Sequence, residues 1–434
     1  MEYYAKSKKV QFTSERINEI KKNMKNIEEC LKENLTETDV EILNSSITDI
    51  AEKTEEKQKT LKEHHKDIVT CAEMFFLEYG EYFTEKEKKL VVEACRIHDL
   101  GKVNLVFQAM ICPKLAEKFH IDVRKTSQIP HGFLSAVTIS LDEFDDLSEL
   151  FSDKDFGPFI TAVYYHHDRE DHYNSPAIRK YAEKYYMKQI EEYLNRKIRK
   201  LNCSNLDDLL FRNNVYTGKY IPDSNAWKEY LLIKGLLNKF DYTVSAGYEN
   251  AESAIDLHEK KLVKNIEKFL NGKELRPAQK FMKMNRDKNL IVIAPTGSGK
   301  TEASLLWMNG EKSFYTLPLK VSSNAIYLRI KENYEYKDVA LLHSDAMAVY
   351  LREYNGNEDI GEKYERSKML SQPLTVCTVD QLFRFVYRAL GTEIFAATLK
   401  YSKLVLDEIQ AYEPRVIATI IYLSLIHISE PTRR

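Results

Sequence analysis

From residue 14 to about 90, apolar residues recur at spacings of three and four, as at Ile17, Ile20, Met24 and Ile27. That is the period of a helix with one buried face. The stretch 61–79 puts Ile68, Cys71, Ala72, Phe75 and Phe76 on one such face, and helical patterning continues through 86–110, 131–141, 158–167 and 176–200. The first part is therefore expected to be mostly α-helical. After residue 285 the pattern changes. NLIVIAP (289–295), KSFYTLP (312–318), DVALLHS (338–344), PLTVCTV (373–379) and KLVLDE (403–408) are short apolar runs of strand length separated by helical segments. Runs of that kind predict strands covered on both faces, the mark of a parallel α/β sheet. The polar stretch ending at Asn271-Gly272 sets the expected division: an α-helical domain over 1–250, a linker over 251–272 and an α/β domain over 273–434. The tail from about 423, LSLIHISEPTRR, breaks the pattern and resembles a translated sequencing-adapter read-through. It is expected to be non-native and the chain truncated.

Composition narrows this picture without redirecting it. The 434 residues suffice for two or three domains, and 43% hydrophobic content suffices for packed cores. No apolar run reaches the roughly 18 residues that span a bilayer, so no membrane partner is expected. The start, MEYYAKSKKVQF, has no apolar core of a secretory signal. None of the 6 cysteines sits in a CxxC pair, which suggests reduced thiols and a cytoplasmic setting rather than disulfides or a zinc ribbon. A net charge of −2 means that any nucleic acid must be bound by local basic patches. The basic, tyrosine-bearing segment 178–200 is one candidate, although a solvated amphipathic helix has the same composition.

Two groups of residues carry chemistry. APTGSGKT (294–301) follows an apolar run and opens a helical one, the context of a phosphate-binding loop. Thr296, Gly297, Ser298 and Gly299 form the loop, and the glycines let backbone N–H groups turn toward phosphate. Lys300 would reach the β- and γ-phosphates of ATP, and the Thr301 hydroxyl would bind Mg²⁺. Asp407-Glu408 ends a later apolar run. There an Asp can hold Mg²⁺ through water and its Glu neighbour can orient an attacking water. The second group lies in the helical half: His64 in KEHHKDIV, His98-Asp99 in ACRIHDLGK, His131 in PHGFLSA, His166-His167 in YYHHD, and Asp241 in KFDYTVSAG. A single buried histidine is usually a core residue. Several imidazoles with carboxylates suit a pair of transition-metal ions able to activate water in a phosphoryl displacement. His65, His120 and His172 lack such contexts and are read as bystanders.

Together these motifs resemble the nuclease-helicases of type I CRISPR systems, the Cas-three family, over nearly the whole chain. YYAKSK (3–8) is similar to that family's opening strand, and the histidines and Asp241, followed by Ser245-Ala246, fall in the family's order. LRPAQ (275–279) resembles the motif that reads adenine, here through Gln279. TLPLKVSSNAIYLR (316–329) and TVDQLF (378–383) resemble strand-tracking motifs, and DEIQAYEP (407–414) the family's DExH box, with Gln410 in place of histidine. The resemblance implies an α-helical HD nuclease domain followed by the first RecA-like domain of a helicase. It implies two divalent transition-metal ions, one held by His64, His98, Asp99 and Asp241 and the other by His131, His166 and His167, with Asp99 bridging. Lys102 would contact substrate phosphate. It also implies ATP and Mg²⁺ at the second site, single-stranded DNA as substrate, and a CRISPR surveillance complex as partner. No Ser-Ala-Thr motif follows, nor a second RecA-like domain with its arginine finger. Two other readings stay open: a nucleotide phosphohydrolase with a regulatory ATP site, and a truncated fragment that binds ATP or DNA without turnover.

Overall fold

The computed structural model describes residues 5, 10–11, 52–53, 59–122, 129–139, 153–167, 176–203, 206, 210, 224–253, 260–353, 360–386 and 391–429. The opening strand expected at 3–8, the helix from Ser14 and the bystander His172 lie outside these residues, apart from Ala5. Near the start, β1 (Val10–Gln11) pairs antiparallel with β2 (Glu52–Lys53).

The helical half begins with α1 (Leu61–Tyr79) and α2 (Glu85–Ile97). Each starts at a threonine, Thr60 or Thr84, whose hydroxyl takes the N–H of a glutamate three residues on while that glutamate returns to the threonine N–H. Two otherwise orphaned N–H groups per helix are satisfied in this way. A 3-10 turn (Leu100–Val103) leads to α3 (Leu105–Ile111), then α4 (His131–Thr138), α5 (Asp153–Tyr164), α6 (Met187–Leu194) and the long α7 (Ser224–Ser245). Between the short helix Pro176–Tyr181 and α6 lies one π-helical stretch, Ala182–Tyr186. The core is aromatic, and α7 runs through it with Tyr230, Ile233, Leu236, Leu237 and Phe240 fully buried.

The stretch expected as a linker contains a helix, α8 (Lys261–Leu270), which sinks Leu262, Val263 and Ile266 into the core of the second half. After α9 (Pro277–Met284) and α10 (Lys300–Met308) come four parallel strands: β3 (Ser313–Leu317), β4 (Val339–Leu342), β5 (Leu374–Thr378) and β6 (Lys403–Leu406). Their order is β4-β5-β3-β6. Helix α11 (Lys320–Glu332) follows β3, α12 (Glu393–Leu399) precedes β6, and α13 (Pro414–Ser429) closes the described residues, running into the tail that was expected to break the pattern. One expected strand is not formed. Residues 289–295 form no regular element and pair with no strand: Leu290 and Val292 pack on the core while Ile291 and Ile293 are 91% and 97% exposed. The alternation is that of a strand, but no neighbouring strand among the described residues supplies the hydrogen bonds that would make it one.

The two halves share buried surface. Helix α7 lies along α12, with Lys234 Nζ 2.8 Å from Glu393 Oε1, and Ala397 and Tyr401 belong to the first core. A second contact is wholly polar. Glu252 accepts from Lys239 of α7 at 2.7 Å, from Lys312 at the foot of β3 at 2.5 Å and from the Tyr401 hydroxyl at 2.7 Å, all of them buried. Lys239 also donates to the carbonyls of Met369 and Leu370, and Lys312 to that of Gln372. Burial pulls both lysines down, Lys312 to about 8, against the opposing pull of Glu252.

Candidate metal centre and nucleotide site

Six elements deliver histidines and carboxylates to one point in the helical half. His64 projects from the first turn of α1, His98 ends α2, Asp99 opens the 3-10 turn, His131 starts α4, His166 and His167 follow α5, and Asp241 lies near the end of α7. Gly101 lets the turn after Asp99 press against α4, since a Cβ there would stand 2.0 Å from the His131 carbonyl. Ser135 fastens the same junction by taking the Gly101 N–H at 2.8 Å and donating to the His131 carbonyl at 2.9 Å.

Asp99 is the hub. Its Oδ2 lies 3.4 Å from His64 Nε2 and 3.2 Å from His98 Nε2; its Oδ1 lies 3.5 Å from His131 Nε2 and 3.4 Å from His166 Nε2. Asp241 Oδ1 stands 3.1 Å from His64 Nε2, and its Oδ2 stands 3.3 Å from His167 Nε2. The donor atoms fall into two groups, each within 4.8 Å: His64, His98, Asp99 and Asp241, and Asp99, His131, His166 and His167. These are the residues whose motifs were singled out in the sequence, divided as the resemblance implied.

The donors are poised for ions. His98 Nδ1 is 3.0 Å from the Cys95 carbonyl and His166 Nδ1 is 2.7 Å from that of Val163, which turns each Nε2 inward. The Nε2 atoms of His64, His98, His131 and His166, with Asp99 Oδ1, are buried without a hydrogen-bond partner. Leaving such atoms unsatisfied is costly, and a cation bound in each group would satisfy them. The residues therefore fit a two-ion centre. Burial alone would raise both carboxyls. His98 and Lys102 beside Asp99, and His64 and His98 beside Asp241, hold them well below the usual carboxylate range instead. Burial opposes the charge on His98, but Asp99 and Asp241 outweigh it and push it up to about 9. Burial lowers His131 well below its ordinary value and His167 to about 3.

Lys102, expected to contact substrate phosphate, is buried beside the bridging carboxylate. It is 8% exposed, with Nζ 2.6 Å from Asp99 Oδ2. His65, read as a bystander, borders the centre without joining either group. Its ring lies 5.9 Å from that of His98 and its Nδ1 3.4 Å from the Tyr193 hydroxyl. Adjacency to His64 was the one signal available for it. His120 is exposed and remote from both groups. The tyrosine-bearing segment docks beside the His98-Asp99 turn: Tyr181 donates to Asn104 at 2.7 Å and Gln189 accepts from the Leu105 N–H at 3.2 Å. Tyr185 is half exposed with Lys184 over its ring.

The nucleotide-site residues gather at the carboxyl ends of the parallel strands, where open α/β sheets bind ligands. Gly297 and Gly299 take φ values of 77° and 84°, and α10 starts at Lys300 with its N-terminus toward the loop. Thr296 is exposed, and the Ser298 hydroxyl is buried and unpartnered. A side chain at Gly299 would collide with Gln279, whose Nε2 would lie 2.3 Å from the added Cβ. Gln279 thus braces the loop, donating to the Gly299 carbonyl at 3.4 Å while its oxygen takes the Arg276 N–H at 2.9 Å. Lys300 Nζ is 3.3 Å from Glu408 Oε1. Glu408 has φ 54°, in the left-handed region, and Gln410 donates to its other oxygen. Asp407 extends the β6 ladder through its N–H to the Thr316 carbonyl at 3.0 Å, and Tyr315 donates to its Oδ2 at 2.6 Å. Glycine cradle, lysine, threonine and acidic pair together fit a magnesium nucleotide. Sequence reasoning did not single out Tyr315, which reads as one more apolar strand position.

Comparison with known proteins matches a family to each half of the chain. Residues 51–225 match the family described as Cas3, HD domain, and residues 277–433 match the family described as DEAD/DEAH box helicase. The CRISPR-associated nuclease/helicase Cas3 of Methanothermobacter thermautotrophicus is 25% identical over 435 residues, covering 86% of this chain and 51% of its own. The putative CRISPR-associated nuclease/helicase Cas3 of Methanocaldococcus jannaschii is 28% identical over 149 residues, 31% of this chain and 20% of its own. In fold, the chain is similar to the crystal structure of T. fusca Cas3, with a TM-score of 0.52 at 17% identity over 81% of this chain and 45% of that one. The structure titled T. fusca Cas3-ATP gives a TM-score of 0.51 at the same identity. The chain thus spans about half the length of the first of these relatives and less of the second.

Proposed function

Because the chain belongs to the Cas3 family of nuclease/helicases, carrying an HD domain followed by a DEAD/DEAH box helicase domain, we propose that its helical half cuts single-stranded DNA and that its α/β half binds ATP with Mg²⁺. The observation that carries the nuclease reading is Asp99, one buried carboxylate whose two oxygens face two separate histidine groups. His64, His98, Asp99 and Asp241 would hold one ion, and His131, His166 and His167, with Asp99 shared, would hold a second. Two such ions supply an activated water and neutralise charge on the phosphate in a phosphodiester displacement. The chain's own residues fix the geometry. Cys95 and Val163 orient imidazoles, Ser135 and Gly101 lock α4 to the Asp99 turn, and Lys102 adds a cation beside the bridging carboxylate. The imidazole-rich set favours transition metals over Mg²⁺, which prefers oxygen. The tyrosines and lysines of 178–200 serve as a contact surface for the strand beside the site.

In the α/β half, Thr296 to Gly299 would cradle phosphate, Lys300 would neutralise it, Thr301 and Asp407 would receive Mg²⁺, and Glu408 would orient water. Translocation of DNA, and recruitment by a CRISPR surveillance complex in the cytoplasm, are assigned to the whole protein, of which the second half of the motor is a necessary part. Cleavage is tested by incubating the purified chain with a labelled single strand, a blunt duplex or free nucleoside triphosphates, in Mn²⁺ or in Mg²⁺ alone. Expected is cutting of the single strand in Mn²⁺, little in Mg²⁺, and an intact duplex. Hydrolysis of free nucleotides without strand cleavage would replace the nuclease reading with a nucleotide phosphohydrolase.

A further inference from the structure

Strand β3 is buried along its length, and its side chains alternate between two cores: Phe314 joins the α12 side, Tyr315 and Leu317 the α10 side. A tyrosine fully buried at such a position carries a hydroxyl that costs free energy unless it is bonded. Tyr315 is bonded to Asp407 Oδ2 at 2.6 Å, a short, charge-assisted contact. The other carboxylate oxygen takes the Glu408 N–H at 2.9 Å. Both Asp407 oxygens are thus held by donors. The hydroxyls of Thr301 and Ser304, on the first turns of α10, meet the same phenol. Tyr315 therefore stands between the threonine and the aspartate that a magnesium ion on the nucleotide has to share.

We propose that Tyr315 is a positioning residue for the magnesium-dependent part of nucleotide binding, holding the Asp407 carboxylate in the one orientation that faces Thr301. This rests on the nucleotide-site reading given above. Tyr315→Phe keeps the ring and its packing but frees Asp407 Oδ2 to rotate. The phosphate cradle, by contrast, is built from backbone and Lys300 and does not involve Tyr315.

The test uses the full chain and the fluorescent nucleotide mant-ADP, titrated at increasing Mg²⁺ and separately in EDTA. Tyr315→Phe is expected to raise the Mg²⁺ concentration for half-maximal binding by about tenfold, the scale of one hydrogen bond to a charged group, and to leave affinity in EDTA unchanged. Asp407→Asn should show the same selective loss, and adding Tyr315→Phe to it should change nothing further. A merely structural tyrosine predicts equal weakening with and without Mg²⁺; that result, additive losses in the double variant, or an unshifted Mg²⁺ midpoint would overturn the proposal. A wild-type chain that binds mant-ADP in neither condition would overturn the nucleotide site itself, and the role of Tyr315 with it.

Discussion

Changing Asp99 to asparagine should empty both metal groups at once, although it alters one atom. The carboxylate has an oxygen on each side, with His64 and His98 at 3.4 and 3.2 Å from one and His131 and His166 at 3.5 and 3.4 Å from the other. After the change, the first group keeps Asp241 as its anion. The second keeps three imidazoles and no carboxylate of its own. The new amide NH₂ also has no lone pair to offer an ion on whichever side it faces. Outer contacts to metal ligands are typically worth 10–100-fold in affinity, so losing a direct, shared ligand should cost at least ~100-fold per ion, or about 2.8 kcal/mol. A second effect acts without metal. Lys102 loses the carboxylate 2.6 Å away while 8% exposed, and an uncompensated buried charge costs about 3–5 kcal/mol. The assay is metal content after Mn²⁺ loading and gel filtration, alongside thermal melting to separate lost ions from lost structure. His64→Ala and His131→Ala serve as one-sided comparisons, each expected to release one ion and retain the other. An Asp99→Asn protein that keeps two ions per chain, or a His64→Ala protein that loses both as readily, would refute the bridging argument.

Metal uptake should release a proton. His98 sits at about 9 in the metal-free protein, above its ordinary 6.5, so its proton stabilises the fold fully below about 6.5 and that contribution is lost as pH rises through 9. Mn²⁺ affinity should climb across the same window, with proton release seen by calorimetry in buffers of different ionisation enthalpy; a flat profile would contradict it. Lys300→Ala should abolish mant-ADP binding while leaving Mn²⁺ content unchanged, and a parallel loss of both would count against independent sites. Glu252→Gln should be among the most destabilising single changes, by about 3–5 kcal/mol in urea unfolding, because Lys239 and Lys312 lose their shared anion; a change under about 1 kcal/mol would show that the carbonyls of 369–372 suffice.

Much of this architecture is legible in local pattern. The runs around Tyr315, Leu341, Val376 and Val405 form strands at nearly the positions their apolar character indicates, and α1 begins where Thr60 and Glu63 spell a capping box. Histidines in distinctive pairs, His98-Asp99 and His166-His167, pointed to the metal groups because adjacent donors are uncommon outside sites. Relations across the chain were not legible. The run at 289–295 has a strand's alternation, but pairing depends on a neighbour that its own residues do not specify. Glu252 lay in an expected linker, and nothing local distinguishes it from a solvated glutamate. Its partners stand 13, 60 and 149 residues away, at Lys239, Lys312 and Tyr401. The burial of Lys102 is likewise set by the three-dimensional turn after Asp99, which aims it inward. Tyr315 was hidden for the opposite reason, an apolar-looking position whose single polar atom does the work.

The unpaired run 289–295 has a practical consequence. Among the described residues no strand pairs with 289–295, whose Ile291 and Ile293 face solvent almost completely. Unpaired backbone next to exposed β-branched residues is adhesive, and a second copy can supply what is missing as readily as any other extended chain. Soluble yield of this polypeptide should therefore fall with concentration more steeply than its net charge alone would suggest, and a lysine at position 291 or 293 is the simplest way to handle it at the levels that metal titrations demand.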